Sequence, residues 1–174
     1  MNKHIMLDLE TMGNGNNAAI VAIGACSFDP YDASVEIQPY YQRITLQSSV
    51  DFGLKMDAST VLWWMQQKDA AKIATFDGQA MPLGDALWAF SKWVGGDYCV
   101  WGNGATFDNV IIRSAFAACK LEPPWKFFND RCYRTLKALV DIPYVFEGTK
   151  HFALDDAISQ AKHLQKIYAK LGLK

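Results

Sequence analysis

The sequence predicts an α/β domain built around a mixed sheet, and three observations predict it. Three apolar, partly β-branched stretches within residues 4–46 are joined by short turns, the pattern of an antiparallel meander. Beyond residue 48, apolar side chains recur at helical spacing. Between two of those helical stretches stands a short apolar run bounded by glycine, residues 97–102. Strands first, then helices alternating with a short buried strand, make one α/β layer structure.

The first stretch, Ile5-Met6-Leu7-Asp8-Leu9-Glu10-Thr11-Met12-Gly13, reads as a buried strand closing in a glycine turn. Strand side chains alternate, so Asp8 and Glu10 share one face while Leu7 and Leu9 take the other. Residues 18–28 form a second strand, apolar on both faces around Ile20, Val21 and Ile23. Asp29-Pro30-Tyr31-Asp32 has the composition of a turn. A third strand covers 35–46, with Pro39 marking an edge or a bend. The spacing of Val61, Leu62, Trp64 and Met65 predicts a helix over 60–68, with Ser59 or Thr60 as its N-cap. A second helix runs from Pro82 through Leu83, Ala86, Leu87, Phe90, Trp93 and Val94 and is closed by Gly95-Gly96. Helices are expected over 107–119, over 130–140 and, amphipathically, over 153–171.

Composition sets bounds on function. A 51% apolar and 20% charged chain of 174 residues is an ordinary globular one, long enough for a sizeable core, and is read as a single domain, 1–174. The 13% aromatic content, with six tryptophans, provides stacking surfaces as well as core. A net charge of −1 supplies no global basic field, so a nucleic-acid partner has to be met by a local patch or by metal ions. The four cysteines lack metal-ligand spacing, and three lie in apolar runs, which predicts buried free thiols. With no secretory signal and no apolar run of bilayer length, no membrane partner is expected and the location is read as cytoplasmic.

Two acids on one face of an apolar strand repel each other unless a cation sits between them, and hard ions such as Mg²⁺ favour carboxylate oxygens. Asp108 follows the turn Trp101-Gly102-Asn103-Gly104 and opens a helix, a place that capping and the helix dipole alone also favour. Asp155 and Asp156 open the last helix, just after His151. Helical geometry pairs His151 with Asp155, four residues on.

Taken together, these pieces resemble the DEDDh exonucleases, the group that includes the DnaQ-like polymerase proofreading subunits and ribonuclease T. The resemblance rests on Asp8-Leu9-Glu10-Thr11-Met12-Gly13, Ile23-Gly24-Ala25, Asn103-Gly104-Ala105-Thr106-Phe107-Asp108 and His151-Phe152-Ala153-Leu154-Asp155-Asp156-Ala157. Each piece is weak alone, and four in the right order are strong. Trp63-Trp64 and Arg131-Cys132-Tyr133-Arg134-Thr135-Leu136 add a likeness to phage-type exodeoxyribonucleases and related small bacterial exoribonucleases, hence to a phage or prophage setting. Two features depart from the proofreading type: Ala22 stands where those enzymes often carry an acid, and the loop after Gly13 is rich in Asn and Gly.

The resemblance implies an RNase H-like five-stranded mixed sheet, a three-strand antiparallel meander plus parallel strands, flanked by helices. It selects Asp156 over Asp155 as the partner of His151. It also implies a two-metal 3′-5′ exonuclease that releases nucleoside 5′-monophosphates. In that scheme Asp8 bridges two Mg²⁺ or Mn²⁺ ions about 4 Å apart, Glu10 and Asp156 complete one shell, and Asp108 supports the other. His151 is the general base; His4 and His163 are structural. For a single-stranded DNA or RNA 3′ end, the backbone of Thr11, Met12 and Gly13 would approach the terminal nucleotide, Met12 wedging against its base. Asn103 and Phe107 are further contacts, and Trp63 is a stacking platform while Trp64 joins the core with Val61 and Met65. A homodimer is implied by the same likeness. Two rival readings are a silent nucleic-acid-binding module of the same fold and a hydrolase of small phosphate esters.

Overall fold

A computed structural model describes residues 3–173. Among the described residues, five strands form one sheet in the order β3-β2-β1-β4-β5. β1 (His4–Thr11), β2 (Ile20–Phe28) and β3 (Gln38–Arg43) are the antiparallel meander, and β4 (Cys99–Gly102) and β5 (Asp130–Cys132) extend it in parallel from β1. β1 is therefore the central strand. Its alternation sorts side chains between two cores. Ile5, Leu7 and Leu9 join the cluster under α4 (Leu83–Val94) and α5 (Asp108–Ala118), where Leu87, Phe90, Ile112 and Phe116 are fully buried. Met6 joins the opposite cluster, under α6 (Tyr133–Lys137) and α7 (Ala153–Leu171), with Ala157, Ala161 and Leu164.

Every residue of β2 is buried, as its two-faced apolar run predicts. Gly24 lies opposite Asp8 in the β1–β2 register, and a Cβ there would stand 2.2 Å from the carbonyl carbon of Ala153. Only glycine lets the first turn of α7 settle on the sheet at that point. α4 closes on Gly95 in the left-handed conformation, φ 71°, and α7 closes likewise on Gly172.

Several elements depart from the sequence-based expectation. The third strand stops at Arg43; Ile44 makes an isolated bridge to Met81, and Leu46–Asp51 is a short helix, α1. The Ser48 hydroxyl, which donates to the Thr45 carbonyl at 2.7 Å, helps turn the chain there. The expected helix over 60–68 is α2 (Ala58–Met65), followed by a separate α3 (Asp69–Phe76). Its N-cap is Asp57, and Ser59 and Thr60 lie in the first turn. Trp64 is 3% exposed and in the core as expected, but Met65 is 70% exposed. The helix expected over 130–140 begins instead as β5. The Asp130 carboxylate there accepts two bonds from Arg113 (2.8 and 3.1 Å), one from Trp125 Nε1 (2.8 Å) and one from Asn109 Nδ2 (3.0 Å). That tertiary network overrides local helix preference. All four cysteines are free thiols, but only Cys26 is fully buried. No described helix is long and apolar enough to cross a membrane.

Candidate active site

β1 delivers Asp8 and Glu10 to the sheet face covered by α7, and α7 brings Asp156 to meet them. One oxygen from each of these three carboxylates lies within 4.8 Å of the others. They line a cleft of about 550 Å³ together with Thr11, Trp63, Asn103, Phe107 and His151. Among the described residues, no lysine or arginine lines it. Asp108, 3% exposed at the start of α5, sits behind the cup. Its Oδ1 accepts the Leu9 N–H at 3.2 Å, and its Oδ2 accepts the Asn103 N–H at 3.0 Å. The fourth acid thereby ties β1 to the loop after β4.

Crowding of these buried and half-buried acids shows in their protonation. Burial pushes Asp8 well above the usual carboxylate range, with the charges of Asp108 and Asp156 adding to it and the Gln160 amide opposing. Burial raises Glu10 likewise, followed by Asp8, Asp156 and Asp108. Asp108 is pushed up to about 7 by burial, held back by the backbone N–H groups of Leu9, Asn103 and Asp108 itself. Asp156 is raised by burial against the opposing pull of the His151 N–H. Such a cup is relieved by a divalent cation, whose hard acceptor preference its all-oxygen donors match.

Asp155 and Asp156 divide their work cleanly. Asp156 Oδ2 accepts the backbone N–H of His151 at 2.9 Å and belongs to the cup. Asp155 Oδ2 instead accepts the Thr149 N–H at 2.7 Å, outside it. His151 lies in the loop two residues ahead of α7, with φ 64°, a left-handed conformation uncommon for a non-glycine residue. Its carbonyl accepts the Thr75 hydroxyl at 3.0 Å, so its backbone is held from both sides. Its ring stands edge-on to Trp63, centroids 5.0 Å apart. On the approach to it, Thr149 is held by Asp155.

Of the expected substrate contacts, Thr11, Trp63, Asn103 and Phe107 line the cleft. Met12 and Gly13 do not. Met12 is 7% exposed and packed in the core under β1, because its backbone is drawn inward by bonds to Ala19 and Asp57. Gly13 faces Asp57 and the Lys55 carbonyl. The expectation that Met12 wedges against a base is corrected accordingly. Trp64 contributes from within, its Nε1 donating to the Thr11 carbonyl at 2.9 Å. His4 accepts the Trp101 indole N–H, and His163 joins the Tyr133 hydroxyl to the Ile142 carbonyl, both away from the cleft.

Sequence reasoning missed Gln160. Its Nε2 donates to Asp8 Oδ1 at 2.9 Å, while its Oε1 is buried without a hydrogen-bond partner. The signal was available: Gln160 is one helical turn beyond Asp156, on the same face.

Comparison with known proteins agrees with this geometry. The family model of the 3′-5′ exoribonuclease Rv2179c-like domain matches residues 3–168. The exodeoxyribonuclease of Enterobacteria phage T4 is 27% identical over 162 aligned positions, covering 75% of this chain and 68% of the phage protein. The nuclease domain of 3′hExo, a DEDDh family member solved bound to rAMP, shares the fold with a TM-score of 0.60 at 13% identity. That alignment covers 97% of this chain and 92% of the neighbour. With a match running from the first strand into the last helix, the chain belongs to the Rv2179c-like 3′-5′ exoribonuclease domain family and is a 3′-5′ exonuclease.

Proposed function

We propose that residues 1–174 act as one cytoplasmic exonuclease domain that removes nucleotides from single-stranded 3′ ends, DNA or RNA, as nucleoside 5′-monophosphates. The observation that carries this reading is the convergence of Asp8, Glu10 and Asp156 within 4.8 Å in a cleft that His151 also lines. Asp8, Glu10 and Asp156, backed by Asp108, would hold two Mg²⁺ or Mn²⁺ ions. Bound there, the ions supply charge neutralisation at the scissile phosphate and favour attack by water. The chain's own side chains do the rest. His151 takes the proton of the attacking water on a ring nitrogen, its backbone fixed by Asp156 and Thr75 and its ring braced by Trp63. Gln160 holds Asp8 in place from α7. Asn103, Phe107 and Thr11 wall the space for the terminal nucleotide, and Trp63 presents a half-exposed face to it.

End-labelled single-stranded DNA and RNA oligonucleotides, incubated with Mg²⁺ or Mn²⁺ and with chelator, test the reading. Stepwise shortening from the 3′ end that chelator abolishes is expected. His151→Ala should slow turnover about 100-fold or more while leaving oligonucleotide binding nearly unchanged. Binding without shortening by the native protein would instead identify a silent module.

A further inference from the structure

We propose that a second cavity beside the cleft binds the phosphodiester backbone of the strand upstream of the terminal nucleotide, with Lys68 and Lys150 as its phosphate contacts. The inference rests on the exonuclease reading above and extends it to where the rest of the strand lies.

The cavity encloses about 430 Å³. One side is the α2–α3 junction, with Gln67, Lys68 and the start of α3; the other is the loop before α7, with Phe146, Thr149 and Lys150. His151 lines both this cavity and the catalytic cleft, so the two spaces adjoin across a single residue.

Charge makes the connection informative. Among the described residues, the cleft is lined by three carboxylates and by no lysine or arginine, whereas the neighbouring cavity is lined by two lysines and no acid. A strand whose last nucleotide occupies the cleft carries a negative phosphodiester at every further step, and those phosphates gain nothing beside an acidic cup. The acids nearest the cavity in sequence already have partners. Asp69 pairs with Lys72 at 2.9 Å, Glu147 pairs with Lys162, and Asp155 accepts the Thr149 N–H. Lys68 and Lys150 form no ion pair among the described residues, and both are exposed at the rim. Each comes from a different wall, so the pair spans the cavity as phosphate contacts to one passing strand require. Phosphate contacts of this kind set affinity and direction without reading sequence.

The test compares an octanucleotide with a nitrophenyl ester of a nucleoside 5′-monophosphate, which has no upstream phosphates. In the double variant Lys68→Gln/Lys150→Gln, KM for the octanucleotide should rise about tenfold, and kcat/KM for the small ester should stay within about twofold. The dependence of log KM on log salt should flatten by about 1.4, at ~0.7 per lost single-strand phosphate contact. Lys68→Arg/Lys150→Arg should restore the native octanucleotide KM and slope, and an unchanged melting curve establishes that each variant is folded. An octanucleotide KM and salt slope unchanged in the Gln variant, or a loss that the small ester shares, overturns the proposal. Native protein that shortens no oligonucleotide refutes the underlying exonuclease reading, and the inference falls with it.

Discussion

Gly24→Ala is a perturbation remote from the chemistry whose effect on it follows from geometry. An added Cβ would lie 2.2 Å from the carbonyl carbon of Ala153, 2.3 Å from the nitrogen of Leu154 and 2.5 Å from the Ala153 oxygen. Those are backbone atoms at the first turn of α7, so no side chain can rotate aside. Moving from 2.2 Å to the 3.4 Å of ordinary contact requires the turn to retreat by about 1.2 Å. Asp156 rides on that turn, and the cup it completes has its oxygens within 4.8 Å. A shift of this size is comparable to a misplacement of about 1 Å, which costs roughly 100-fold in rate. Overpacking of this kind costs about 1–3 kcal/mol, or a fall in Tm of roughly 3–10 °C for a chain of this length. Single-turnover shortening of a labelled oligonucleotide at saturating Mn²⁺, read beside a melting curve, measures both effects. A variant with native Tm and a rate within twofold of native would refute the claim that Gly24 sets the seat of α7.

Asp8→Asn should remove cleavage by at least about 1000-fold while raising the Tm of the metal-free protein at pH 8, because it deletes a half-buried, crowded charge and keeps an acceptor for Gln160. An unchanged or lower metal-free Tm contradicts the burial argument. Asp156→Ala should be severe for turnover; Asp155→Ala should be mild, lowering Tm by a few degrees through the lost Thr149 bond. Reversal of that order in a side-by-side kinetic assay contradicts the division of labour between them. The metal-free protein should lose stability as pH rises from about 4 to about 7. Asp108, with a folded value near 7, holds a proton in that window that the unfolded chain has released, and Asp8 and Glu10 shift in the same direction. Melting curves in chelator across that range check the sign, and adding Mg²⁺ at pH 8 should restore the loss.

What the sequence made legible was whatever a local pattern encodes. Strand alternation alone assigned Asp8 and Glu10 to one face, and the structure has them facing α7 together. The apolar periods of α4 and α7, each closed by a left-handed glycine, located those helices to within a residue or two. Trp63 and Trp64 separated correctly into an exposed and a buried ring. What stayed hidden depends on distant partners. Asp130 is a strand residue because Arg113, Asn109 and Trp125 gather on its carboxylate. Met12 is core rather than cleft because Ala19 and Asp57 pair with its backbone. The second cavity joins segments some 80 residues apart, and no spacing within either segment announces it.

Anomalous diffraction from a crystal soaked in Mn²⁺ tests the central claim most directly. The account predicts manganese peaks within about 2.2 Å of carboxylate oxygens of Asp8, Glu10 and Asp156. Manganese absent from that cup at saturating concentration, or bound only elsewhere on the chain, would contradict it.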